Sequence, residues 1–129
     1  ITIPHSSDAI KDQDLVIYTA VIKEDNPELQ KAKKLGIKTL SRREALSLIV
    51  NDKKVYSVCG AHGKSTTSSI LATILKDANA LIGAESKDFG SNCRVSDSEI
   101  LVFEADESDG SFVDSNPYCA IVTNAEPEH

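Results

Sequence analysis

The chain has 129 residues, 40% of them hydrophobic and 5% aromatic, with 14 Lys+Arg against 20 Asp+Glu and a formal net charge of −6. That length suits one ordinary domain core. The acidic balance argues against nucleic acid and anionic membranes as partners, since both need clustered Lys and Arg to displace counterions.

Charge is unevenly spread. Residues 1 to 53 carry nine basic against eight acidic side chains, whereas residues 54 to 129 carry five against twelve. This shift predicts two pieces, 1–52 and 53–129, meeting in the polar stretch Asn51-Asp52-Lys53-Lys54. Cys59, Cys93 and Cys119 are odd in number and lack C-x-x-C spacing. They read as small buried hydrophobes in a reducing compartment, with neither a disulfide nor a zinc site. No signal-peptide pattern or apolar run near 18 residues is present, so a soluble cytoplasmic chain is expected. The first residue is Ile1, not Met, and opens in mid-pattern, which predicts an internal piece of a longer protein.

In chain order, Asp14 to Val21 is a short apolar run fit for a buried strand. Asn26-Pro27-Glu28 follows as an N-cap, a proline at N1 and an early acid, predicting a helix that turns Leu29, Ala32 and Leu35 inward and stops at Gly36. Ile37 to Leu40 reads as the next strand, so the unit is strand–helix–strand with parallel pairing. Ser41 with Glu44 forms a capping box ahead of a helix reaching about Val50.

The apolar run Val55 to Cys59 feeds directly into Gly60-Ala61-His62-Gly63-Lys64-Ser65-Thr66-Thr67. A buried strand leading into a glycine turn, a lysine and hydroxyls is how proteins build a phosphate cradle. Gly60 and Gly63 permit positive φ and close backbone approach, Lys64 brings a point charge to the terminal phosphates, and Ser65 offers a hydroxyl to Mg2+. Val58 stands where the longer G-x-x-x-x-G-K-[ST] form asks for glycine, and a polar turn that binds nothing would also fit this shorter string. Ile70, Leu71, Ile74 and Leu75 recur at helical spacing, so Lys64 to about Lys76 reads as a helix opening at the cradle.

Further on come an Ala80 to Gly83 strand, a Gly/Ser/Asn/Asp-rich stretch from Glu85 to Ser98, and the strands Ile100 to Phe103 and Ala120 to Thr123. Ile100 to Phe103 is apolar without alternation, as in a strand buried on both faces, and runs into Glu104-Ala105-Asp106-Glu107-Ser108-Asp109. Carboxylates so crowded repel one another. At the carboxyl end of a strand, where open α/β sheets bind ligands, a divalent cation would stabilise them; a solvated acidic turn is the other reading. Glu104 directly follows the buried strand and is the first metal candidate. Asp109, Ser108 and Ser111 could line an acceptor substrate. His62 lies inside the cradle loop, and His129 closes a second polar strand end, where it could ligate a metal or simply be exposed.

Together, the cradle string, Glu104-Ala105-Asp106-Glu107-Ser108-Asp109-Gly110-Ser111-Phe112, and Ala120-Ile121-Val122-Thr123-Asn124 ending at His129 resemble the Mur ligases. The likeness is greatest to the branch that adds the first amino acid in peptidoglycan synthesis. Tyr18-Thr19-Ala20-Val21, Asp25-Asn26-Pro27-Glu28 and Arg42 to Leu46 look like the later part of that family's UDP-binding domain. The resemblance implies an α/β chain: the end of a Rossmann-like UDP-binding domain, then the first half of a P-loop ATPase domain with a largely parallel sheet. It implies ATP and Mg2+ as cofactors, UDP-N-acetylmuramate and L-alanine as substrates, and amide formation through an acyl phosphate. Gly60, Ala61, His62, Gly63, Lys64, Ser65 and Thr66 would bind ATP; Ser65, Glu104 and His129 would hold metal. Lys64, Glu104 and His129 would be catalytic, and Thr19, Ala20, Val21, Ser108 and Asp109 would lie near the UDP-substrate. The family usually has Thr at the positions of Ala61 and Ser65 and Asp at that of Glu128. Related amide ligases, including those that take a whole peptide, a P-loop hydrolase or switch, and a non-catalytic nucleotide-binding module are the alternatives. The sequence leaves the oligomeric state open.

Overall fold

The computed structural model describes residues 3–106 and 116–126. Ser108, Asp109, Ser111 and His129 lie outside these residues. The chain divides into two compact units, Ile1–Leu46 and Ser47–His129, the division falling inside a helix.

In the first unit, β1 (Leu15–Tyr18) and β2 (Lys38–Ser41) pair in parallel. The helix α1 (Pro27–Lys34) joins them. Its start is set by Asn26, whose Oδ1 accepts from the N–H groups of Glu28 at 2.9 Å and Leu29 at 3.2 Å. It ends at Gly36, with φ +71°, where the Gly36 and Ile37 amides donate to the carbonyls of Lys33 and Ala32. Leu29 and Ala32 are buried as expected, but Leu35 is 47% exposed. Leu35 is the C-cap residue, at the last turn of the helix. The Glu28 carboxylate accepts from His5 and from the Ser6 amide, which hold its pKa below the usual value.

The helix α2 (Arg42–Val50) opens with the reciprocal bonds of a capping box. Glu44 Oε2 accepts from the Ser41 amide at 2.7 Å, and Ser41 Oγ accepts from the Glu44 amide at 3.2 Å. The Ser41 amide and then its hydroxyl lower the Glu44 pKa.

The second unit is a five-stranded sheet in the order β5-β4-β6-β3-β7. Its strands are β3 (Lys54–Cys59), β4 (Asn79–Ser86), β5 (Ser91–Arg94), β6 (Ile100–Glu104) and β7 (Cys119–Val122). Among the described residues the β3–β6, β3–β7 and β4–β6 pairs are parallel and the β4–β5 pair is antiparallel. After β3 the chain crosses through α3 (Lys64–Ile74) to β4, and β6 then fills the gap between them, so β3 lies inside the sheet with its carboxyl end flanked by β6 and β7. That reversal of direction is where open α/β sheets bind ligands.

Alternation along β6 divides the core. Leu101, Phe103 and Ala105 pack with Val50 and Val55 on one face. Val102 packs with Ala72, Ala78, Ala80 and Ile82 on the other, where α3 lies. Glu104 therefore shares the parity of Val102 and emerges on the α3 side.

Further expectations need correcting. The run read as a buried strand forms β1, where Leu15 and Ile17 are 40% and 55% exposed. Ile70 and Ile74 face outward, at 56% and 68% exposure, while Ser68 and Ala72 are buried. The inner row passes through Ser68, Ala72 and the partly buried Leu71 and Leu75, and a two-residue offset turns a helical side chain by about 200° to the opposite face. The polar stretch after Glu85 is not all loop: β4 continues to Ser86, and β5 folds back on it as an edge strand too polar to show apolar alternation. Lastly, Cys93 and Cys119 are exposed and only Cys59 is partly buried, because the first two lie on the edge strands β5 and β7; all three are free thiols.

Candidate functional site

The site forms at the carboxyl ends of β3, β6 and β7. From Cys59 the chain enters the loop at Gly60, whose φ of +129° a side-chain-bearing residue rarely adopts. A Cβ there would lie 2.2 Å from Thr123 Oγ1 and 2.8 Å from the Asn124 carbonyl, so only glycine fits against the end of β7. Gly63, at φ +80°, is the N-cap of α3 and brings no side-chain acceptor to the first turn. The first-turn amides, with the positive end of the helix dipole, are thus offered to an anion from outside the helix.

Two residues beyond β7 hold the loop in shape. Thr123 Oγ1 donates to the carbonyls of His62 at 2.6 Å and Cys59 at 3.2 Å. Asn124 accepts from the His62 amide at 3.0 Å and donates to the His62 carbonyl at 3.1 Å. His62 is therefore anchored by its backbone, and its ring is exposed. Sequence reasoning marked Thr123 and Asn124 only as polar groups at a strand end; their grip on the loop depends on β7 lying next to β3.

The Lys64 ammonium folds back over the cradle and donates to the carbonyls of Gly60 at 2.6 Å and Ala61 at 3.3 Å. Ser65, one residue into α3, donates its hydroxyl to Glu104 Oε1 at 2.9 Å. The other carboxylate oxygen accepts from the Gly83 amide at 2.7 Å. Residues 39 positions apart in sequence thus place a hydroxyl and a carboxylate together beside the helix start. These are hard oxygen donors of the kind Mg2+ prefers, and Mg2+ is usually held by one or two such groups plus substrate phosphates, so the residues present fit that ion. No cluster of three or more His, Cys, Asp or Glu forms a metal site among the described residues. Thr66 stands exposed in the first turn. Thr19, Ala20 and Val21 form an exposed turn after β1 in the first unit.

A mostly parallel sheet in which an interior strand feeds a glycine loop, a helix-opening lysine and a Ser–Glu pair has the layout of a phosphate-loop α/β fold. The model of the Mur ligase family catalytic domain matches residues 1–54. Over all 129 residues the chain is 65% identical to UDP-N-acetylmuramate--L-alanine ligase of Campylobacter jejuni strain RM1221, and 58% identical to the enzyme of the same name from Helicobacter pylori strain P12. It spans about 30% of the length of those relatives. Among solved structures, UDP-N-acetylmuramate-alanine ligase from Thermotoga maritima matches with a TM-score of 0.88 at 30% identity, over 98% of this chain and 31% of that one. The UDP-N-acetylmuramate:L-alanyl-gamma-D-glutamyl-meso-diaminopimelate ligase from Neisseria meningitides matches with a TM-score of 0.78 at 29% identity, over 90% of this chain and 42% of that one. Along its whole length the chain is thus similar to a segment spanning about a third of the named Mur ligases.

Proposed function

We propose that this chain supplies the nucleotide cradle of an ATP-dependent ligase that joins L-alanine to UDP-N-acetylmuramate in peptidoglycan synthesis. The observation that carries the reading is the Ser65–Glu104 pair set beside the opening of α3 and Lys64. The 65% identity along the whole chain to ligases of that name supports the substrate pair.

In this reading the amides of Gly63 to Thr66 and the Lys64 ammonium receive the ATP phosphates, the ammonium exchanging the carbonyls of Gly60 and Ala61 for phosphate oxygens. Ser65 and Glu104 would hold Mg2+. When bound, that ion offsets phosphate charge as a carboxylate attacks the terminal phosphorus. Transfer of that phosphoryl group gives an acyl phosphate, which the amine of L-alanine attacks to form the amide and release phosphate. His129 would help hold a second metal, Ser108 and Asp109 would line the acceptor, and residues 1–52 would belong to the UDP-binding domain, with Thr19 to Val21 near the UDP group. Residues 53–129 would begin the ATP-binding domain. The work would be cytoplasmic and serve cell shape and division. No helix among the described residues is long and apolar enough to cross a membrane.

The likeness to a ligase acting on a tripeptide keeps a second reading open, in which the acceptor is a peptide. The deciding assay is ADP release by the full-length protein with UDP-N-acetylmuramate. Dependence on L-alanine is the expected result, together with loss of at least ~100-fold in rate for Lys64→Ala. Dependence on peptide instead would establish the second reading, and release without any acceptor would overturn both.

A further inference from the structure

Gly83 has no conformational reason to be glycine: it is not among the residues with positive φ, and it is exposed, so no close packing in the core demands it. Its surroundings give another reason. A Cβ on Gly83 would lie 2.9 Å from Glu104 Oε1, 3.1 Å from its Cδ and 3.2 Å from Oε2. The space that a side chain would occupy is taken by the Glu104 carboxylate. The paired register of β4 with β6 ends at Leu81–Phe103, and two residues further along the Gly83 amide donates to Glu104 Oε2 at 2.7 Å. With that oxygen fixed, Oε1 is the one turned to Ser65, at 2.9 Å.

We infer that Gly83 is a positioning residue for the metal-binding carboxylate: its amide and its missing side chain together aim Glu104 at Ser65. The inference rests on the nucleotide–metal reading proposed above and adds to it a residue outside the loop and its partner acid. The contact is with the far end of a flexible side chain, so alanine at 83 displaces the carboxylate without breaking the strand. The expected lesion is therefore selective. The phosphate cradle stays intact, and the gain in nucleotide affinity brought by metal is lost.

The test compares ATP affinity in Mg2+ with that in EDTA for the full-length protein, Glu104→Gln and Gly83→Ala, with Mn2+ binding followed by electron paramagnetic resonance in the presence of ADP. Gly83→Ala is expected to keep its thermal midpoint and its metal-free affinity, and to lose about tenfold or more in metal affinity, the usual cost of removing a group that orients a ligand. A metal-dependent gain that vanishes in Glu104→Gln but survives in Gly83→Ala overturns the inference and leaves the nucleotide reading standing. Equal weakening of metal-free and metal-bound ATP in Gly83→Ala also overturns it, since the glycine would then serve the loop or the fold. A parent protein with no metal-dependent gain sinks the underlying reading itself.

Discussion

Gly60 and Gly63 show how differently two glycines of one loop are constrained. Both have positive φ, but a Cβ on Gly63 would meet nothing within 4 Å, whereas one on Gly60 would strike Thr123 and the backbone of Asn124. Alanine at 63 costs only the left-handed backbone, about 1–2 kcal/mol. Alanine at 60 must also push away the two residues that clamp His62. Gly60→Ala is therefore expected to lower stability by about 2–4 kcal/mol, and to weaken ATP in EDTA as much as ATP with metal. Chemical denaturation and calorimetric titration would check both effects, and a Gly60→Ala protein as stable as Gly63→Ala would contradict the clamp. The charges of the site are arranged on the same scale: Lys64 is held against loop carbonyls and Glu104 between a hydroxyl and an amide.

Among the elements, α3 carries the cradle at one end and needs its other end fixed. That is done by Arg94 on the edge strand β5. Its Nη2 donates to the carbonyls of Ala72 and Leu75, and its Nε to Ala78, each at 2.8 Å. The guanidinium also lies over the Phe89 ring, 5.1 Å from its centre. A cation at the carboxyl terminus of a helix satisfies orphan carbonyls and opposes the dipole. Arg94→Ala is expected to destabilise the second unit by about 2–3 kcal/mol, and Arg94→Lys to recover less than half of that, because an ammonium lacks the planar fork. Urea unfolding of the two variants gives the comparison; full recovery by lysine would reduce the role to charge alone. Nothing in the local sequence announces this bond. Arg94 sits in a polar stretch read as loop, 16 to 22 residues from its partners, and only the antiparallel return of β5 brings it there.

At the scale of the whole molecule, the sheet order sets which groups are reachable. Cys93 and Cys119 lie on the two outermost strands and are exposed, while Cys59 sits inside the sheet on β3, its thiol donating to the Ile121 carbonyl at 3.7 Å. Thiol titration under native conditions is expected to give two fast cysteines and one slow one; three equal rates would mean that the β3–β7 pairing opens readily. The same order turns a loop, an acid and a strand end from distant parts of the chain into one site.

Sequence alone specified many of the local elements and the residue types of the candidate site. Asn26-Pro27, Gly36, and the Ser41–Glu44 box specify helix ends through bonds to their own neighbours, and the apolar run before Gly60 specifies a strand entering a phosphate loop. Such signals survive in one dimension because the partners are only a few residues apart. Tertiary structure decided the rest: that Glu104 meets Ser65 and Gly83, that Thr123 and Asn124 grip His62, that Arg94 closes α3, and that Ile70, Cys93 and Cys119 face outward. Each of these depends on strand order, and strand order is fixed by the burial of both sheet faces at once, a property of the folded whole that no short stretch encodes.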